Sequence, residues 1–126
     1  MGTPELVLLV DEEPDAGRVA SALQSEGFTV RVAHDAAEGL ALARGLAPRV
    51  IVADHDLPED SGDTLARRVR ALPPPVSRTP FLLLCNPKNA RARVSKPAYG
   101  ADVCRFKPLS FPQIASEIRR LRDMAH

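Results

Sequence analysis

Tryptophan is absent from this chain, tyrosine occurs once, and aromatic residues make up 4% of its 126 positions. Its basic residues therefore have no aromatic interleaving of the kind that stacks on bases, and no helix-turn-helix pattern follows the last helical stretch, so nucleic-acid binding is not expected. Cysteine is nearly absent too, with only Cys85 and Cys104. Two thiols without close-spaced partners do not make a zinc site. His34, His55 and His126 are scattered along the chain and make no metal set. No apolar run approaches the length of a membrane span, and no signal peptide opens the sequence. These absences lead us to expect a cytoplasmic protein with reduced thiols and no membrane contact.

What is present is a single domain's worth of chain, 44% hydrophobic, enough to bury a real core. The net charge of +1 conceals two unlike halves. Residues 1–63 carry 4 basic against 13 acidic side chains, and residues 64–126 carry 13 basic against 3 acidic. Such a split points to an acidic site and a basic face on one molecule.

Continuous apolar runs occupy Leu6–Val10, 50–53 and 81–84, ending at Asp11, Asp54 and Cys85. They suit parallel strands buried on both faces. Thr29–Ala33 and Val103–Phe106 each carry a central Arg in an alternating pattern, as edge strands do. Helical patterns lie between. Asp15–Ser25 stops before Gly27. Ala36–Leu46 follows Asp35, with Glu38 placed for a capping box. Leu65, Val69 and Leu72 share one helical face, as do Ile114, Ile118 and Leu121 behind the Ser110–Gln113 cap. A weak fourth helix at 88–95 is cut short because Pro97 disfavours helix at Lys96. Asp15 and Asp60 read as helix caps, and Tyr99 as packing. The alternation predicts one α/β domain over residues 1–126. Its fold is a flavodoxin-like doubly wound parallel sheet of five strands, order 2-1-3-4-5, with helices on both faces.

In that order the ligand-binding crevice opens beyond the carboxyl ends of strands one and three. Asp11 and Asp54 end those strands, and Glu12 follows Asp11. Two carboxylates about 4 Å apart repel by roughly 4 kcal/mol at an effective dielectric near 20. A hard divalent cation such as Mg²⁺ offsets that repulsion, and Lys107 at the end of strand five can add positive charge from the other side.

Three segments, "LVLLVDEEP", "VIVADHDLP" and "GADVCRFKP", resemble in order the acidic pair, the phosphoacceptor segment and the Lys-Pro segment of response-regulator receiver domains. The resemblance covers nearly the whole chain. It implies a receiver in a two-component phosphorelay, a regulatory domain rather than an enzyme, with Asp54 as the aspartyl-phosphate site. Asp11, Glu12, Asp54 and the backbone carbonyl of Asp56 would hold Mg²⁺, and Lys107 would contact the phosphoryl oxygens. The donor would be a histidine kinase or histidine phosphotransfer protein, docking mainly on the first helix. An output domain or partner protein would use the face made by the fourth helix, fifth strand and last helix. Arg91, Arg93, Lys96, Arg105, Arg119 and Arg120 cluster toward that face and call for an acidic partner.

The chain departs from the family at two positions. Cys85 stands where the family has a Thr or Ser whose hydroxyl bonds the phosphoryl group, and a thiol is a weak donor. The neighbouring Asn86 offers an amide in its place. Cys104 stands at the family's aromatic switch position. The usual readout of phosphorylation is therefore altered, and a pseudo-receiver that docks without phosphate is the alternative function. A more distant alternative is a haloacid-dehalogenase-type phosphatase, suggested by "DHD" but opposed by Pro58 where that family has Thr.

Overall fold

The structure is a computed structural model that describes residues 6–86 and 100–124. The helix expected at 88–95 lies outside the described residues, together with Arg91, Arg93, Lys96 and Tyr99. Strands β1 (Leu6–Val10), β2 (Thr29–Ala33), β3 (Val50–Asp54), β4 (Phe81–Cys85) and β5 (Val103–Phe106) alternate with helices α1 (Asp15–Ser25), α2 (Ala36–Leu46), α3 (Gly62–Arg70) and α4 (Phe111–Met124), and a 3₁₀ turn spans Val76–Arg78. All strand pairings are parallel, and the sheet order is β2-β1-β3-β4-β5, as expected.

The central strands are apolar at every position before Asp54, which ends β3, because both sheet faces are covered. Leu8, Val10, Ile51, Ala53, Phe81 and Leu83 point to the side of α2 and α3. Their neighbours Val7, Leu9, Val50, Val52, Leu82 and Leu84 point to the side of α1 and α4. Leu8, Leu9, Ile51, Phe81 and Leu82 are fully buried, each contributing on the order of 2 kcal/mol of apolar burial. The strands with central arginines are the two edges, and Arg31 and Arg105 are exposed there.

Strands β3 and β4 each run one residue beyond the apolar runs, to Asp54 and Cys85. The ladder explains this, since the His55 amide donates to the Leu84 carbonyl (2.8 Å) and the Lys107 amide to the Cys85 carbonyl (2.8 Å). Two helix starts match their sequence signals. The Asp35 carboxylate accepts from the Glu38 amide (2.8 Å). Ser110 and Gln113 bond reciprocally, the Gln113 amide donating to Ser110 Oγ and the Ser110 amide to Gln113 Oε1. Two others differ from expectation. Pro14 is the N-cap of α1, so Asp15 falls inside the first turn and pairs with Arg18 (3.6 Å). Ser61 is the N-cap of α3, so Asp60 lies one residue too early to cap and pairs with Arg68 instead (3.2 Å). Leu72 lies past the end of α3, which stops short of the Pro73–Pro75 run.

Candidate functional site

The sheet order places β1 against β3, so their carboxyl ends deliver Asp11 and Asp54 side by side. Both are buried, at 8% and 7% exposure. The Asp54 carboxylate is held at both oxygens. The Asp56 amide donates to Oδ1 (3.1 Å), and Lys107 Nζ donates to Oδ2 (2.9 Å). Lys107 reaches it from the far side of β4, where its own amide extends the β4–β5 ladder. The close approach of α3 completes the corner. A Cβ on Gly62 would lie 2.4 Å from the Asp54 carbonyl oxygen and 2.7 Å from Leu83 Cδ1, so no side chain fits there.

The site carries more negative than positive charge. Burial pushes the Asp11 carboxyl up to about 7, and the neighbouring Asp54 carboxylate adds to the effect; the Glu12 amide on Asp11 Oδ1 and the more distant Lys107 oppose it without reversing it. Burial alone would lower the Lys107 ammonium, but its hydrogen bond to Asp54 and the charges of Asp54, Asp11 and Asp56 hold it above its ordinary value. The expected convergence of three carboxylates is reduced to two. The Glu12 side chain is exposed, because successive residues leaving a strand point to opposite sides. Among the described residues no three acidic, His or Cys side chains form a ready metal cage. Two carboxylates with a surplus of charge do fit Mg²⁺, which binds through one or two carboxylates and keeps several waters. Asp11, Asp54 and the Asp56 carbonyl are the groups that would hold it.

Cys85 is fully buried at the end of β4, and burial, the adjacent Cys104 thiol and the charges of Asp54 and Asp56 push its own thiol far above the usual range. Cys104, partly buried, packs against the same apolar cluster, and both thiols are free. Asn86 follows, half-buried. A groove of about 320 Å³ opens beside the acidic pair, lined by Asp11, Arg18, Leu84, Lys107, Leu109 and Phe111 among others. The basic face is less free than its sequence implies. Arg105 and Arg120 both bind the buried Glu117, and Arg119 binds Glu26 (2.9 Å) while stacking over Phe28.

Sequence reasoning missed one feature of this region. His55, 7% exposed, lies between Asp56 (3.1 Å) and Asp63 (3.4 Å), and Asp63 is 2% exposed. The eight-residue separation of His55 and Asp63 matches no local motif, so only the turn of the β3–α3 loop brings them together.

The family described as response regulator receiver domain matches residues 7–119. Transcriptional regulatory protein TrcR of Mycobacterium tuberculosis is 38% identical over 95% of this chain and 46% of its own length. The probable transcriptional regulatory protein TcrX of the same organism is 34% identical over 95% of this chain and 50% of its own. The chain thus spans about half the length of these relatives. Among solved structures, the chemotaxis response regulator CheY4 of Vibrio cholerae superposes with a TM-score of 0.82 at 27% identity, covering 94% of this chain and 99% of that one. The signal receiver domain of a histidine kinase from Syntrophus aciditrophicus gives 0.86 at 25% identity, over 94% and 90%.

Proposed function

The chain belongs to the response regulator receiver family of two-component signalling, and we propose that Asp54 is its phosphoacceptor. The observation that carries this reading is the Asp54 carboxylate itself. It is buried at the switch point, beside Asp11, with Lys107 on one oxygen and the Asp56 amide on the other.

In the proposed step an Asp54 oxygen attacks the phosphorus of a phosphohistidine. The P–N bond breaks as the P–O bond forms, and the imidazole leaves with the electron pair and takes up a proton. Asp11, Asp54 and the Asp56 carbonyl would hold Mg²⁺, which would supply charge neutralisation for the transferring oxygens. Lys107 moves its hydrogen bond from the carboxylate to the phosphoryl group, so its charge stays within the site. The Asp56 amide keeps the remaining carboxylate oxygen in place. Positioning and charge do most of the work, as in phosphoryl transfer generally. The Cys85 thiol, high in pKa and a poor donor, contributes little to holding the phosphoryl group, and Asn86 is the neighbouring group able to donate.

The donor is a histidine kinase or histidine phosphotransfer protein, and the groove between α1 and the β5–α4 connection is where its phosphohistidine enters. The setting is the cytoplasm, and no helix among the described residues is long and apolar enough to cross a membrane. The domain acts as a regulator, with no turnover beyond taking up and losing its own phosphoryl group. Output passes through protein contacts, as the kinship with regulators twice its length suggests.

The test is intact mass after incubation with Mg²⁺ and phosphoramidate. One phosphoryl group is expected on the wild type and none on Asp54→Asn. Labelling that survives the substitution moves the site elsewhere. A wild type that resists several donors supports the pseudo-receiver reading, which the thiols at 85 and 104 favour.

A further inference from the structure

His55 is placed to do more than fill space. Its main chain is fixed on both sides, the amide donating to Leu84 of β4 (2.8 Å) and the carbonyl accepting from Leu57 (3.2 Å) and from Gly62 at the start of α3 (2.9 Å). Its ring is turned inward, with Nε2 3.4 Å from Asp63 Oδ1 and Nδ1 3.1 Å from Asp56 Oδ1. Asp63 is held in turn by the Ser61 hydroxyl, which donates to the same oxygen, and Arg67 lies 4.0 Å from its other oxygen. A line of contacts therefore runs from the first turn of α3 through Asp63 and His55 to Asp56, and Asp56 donates its amide to the Asp54 carboxylate.

The loop so tied has a need for it. Glu59 sits at φ +69, a left-handed conformation that residues other than glycine disfavour. The same loop and helix also send apolar side chains into the core on this side of the sheet, Leu57 and Leu65 beside Leu83. Two apolar side chains would pack there at less desolvation cost than an imidazole and a carboxylate. A polar pair at such a place gives direction rather than bulk.

We propose that His55 and Asp63 form a positioning pair that sets Asp56, and so orients the Asp56 carbonyl and amide toward the cation and the Asp54 carboxylate. The inference rests on the Mg²⁺ site described above, with Asp56 contributing its carbonyl. Groups that orient a metal's ligands typically change affinity by about 10- to 100-fold when removed.

The experiment is a calorimetric Mg²⁺ titration of the domain, with backbone amide spectra of the metal-free forms. The first variant replaces both partners, His55→Leu with Asp63→Leu, so that no buried charge is left alone. The second is Asp63→Asn, which keeps the shape and the Ser61 contact. The double variant is expected to melt no lower than wild type, bind Mg²⁺ about 10-fold or more weakly, and shift the amide signals of Asp56 and Leu57 while those of β1 stay in place. Asp63→Asn should weaken binding in the same direction by less. If both variants bind within twofold of wild type, the pair is only structural and the proposal is overturned. If wild type itself binds no Mg²⁺, and Asp11→Asn changes nothing, the metal reading falls and this inference falls with it.

Discussion

Replacing Asp11 by Asn should stabilise the metal-free domain at neutral and alkaline pH, although it removes a residue proposed to serve the site. The Asp11 carboxyl is held at about 7 against an ordinary 3.8, chiefly by burial and then by Asp54. Between those values the folded chain keeps a proton that the unfolded chain has released. The unfolded state thus binds fewer protons, and stability falls as pH rises through the window. Each pH unit across it costs about 1.36 kcal/mol, or roughly 4 kcal/mol in all. That is a large share of the ~5–15 kcal/mol that a domain commonly has. The assay is urea denaturation at pH 5 and pH 8, with and without Mg²⁺, for wild type and Asp11→Asn. Without metal, wild type should lose a few kcal/mol between pH 5 and pH 8, and the variant far less. His34 is also held above its ordinary value, by its hydrogen bond to Glu13, and its contribution is likewise lost as pH rises. It is present in both proteins, so the difference between them isolates Asp11. Mg²⁺ should restore wild type at pH 8 and leave the variant nearly unchanged. Equal pH dependence in the two proteins, or a variant less stable than wild type at pH 8, would refute the reasoning.

Lys107→Met removes the ammonium that bonds Asp54 Oδ2. Mg²⁺ should then bind more tightly, because less positive charge competes for the carboxylates, while the rate of labelling by phosphoramidate falls; weaker Mg²⁺ binding would contradict this. Gly62→Ala pushes a Cβ to 2.4 Å from the Asp54 carbonyl and should destabilise the fold by about 1–3 kcal/mol, with slowed labelling; an unchanged denaturation midpoint would show that the corner is looser than described. Glu117→Gln leaves Arg105 and Arg120 without their shared carboxylate. Both arginines are substantially exposed, so stability should fall by only about 1 kcal/mol, while retention on a cation exchanger rises. Cys85→Thr puts a hydroxyl in the fully buried position at the end of β4 and should speed labelling by roughly 10-fold if a donor is what the thiol fails to supply; no change in rate would mean that Asn86 already fills the role.

The fold was legible because its signals are repeated and mutually consistent. Three unbroken apolar runs suit strands covered on both faces, the Arg-centred strands suit edges, and the helical patterns between them agree with both. Caps were legible where a second residue corroborated the first, as Glu38 does for Asp35 and Gln113 for Ser110. Asp15 and Asp60 had no such partner, and both proved to be salt-bridging residues beside a helix start rather than caps. β3 and β4 end at Asp54 and Cys85, where the sequence placed their ends, but the hydrogen bonds that close them, from the His55 amide to Leu84 and from the Lys107 amide to Cys85, were not legible. Those bonds depend on neighbours 29 and 22 positions away, which no local pattern records.

The site was legible in identity and less so in charge. Asp11 and Glu12 are adjacent in sequence and look alike there, yet one is buried against Asp54 and the other faces solvent. The basic half of the chain is misleading in the opposite way. Arg70 is tied to Asp102 and to the carbonyls of Ser77 and Thr79, Arg105 and Arg120 share Glu117, and Arg119 takes Glu26. These charges are counted in full by the sequence but are largely neutralised in the fold. A ligand responds to the charge left over after internal pairing. Among the described residues two buried carboxylates, Asp11 and Asp54, share one lysine, so the ends of β1 and β3 call for a cation. His55 and Asp63 illustrate the same rule on a smaller scale, since an imidazole between two carboxylates has meaning only once the loop has brought them within reach.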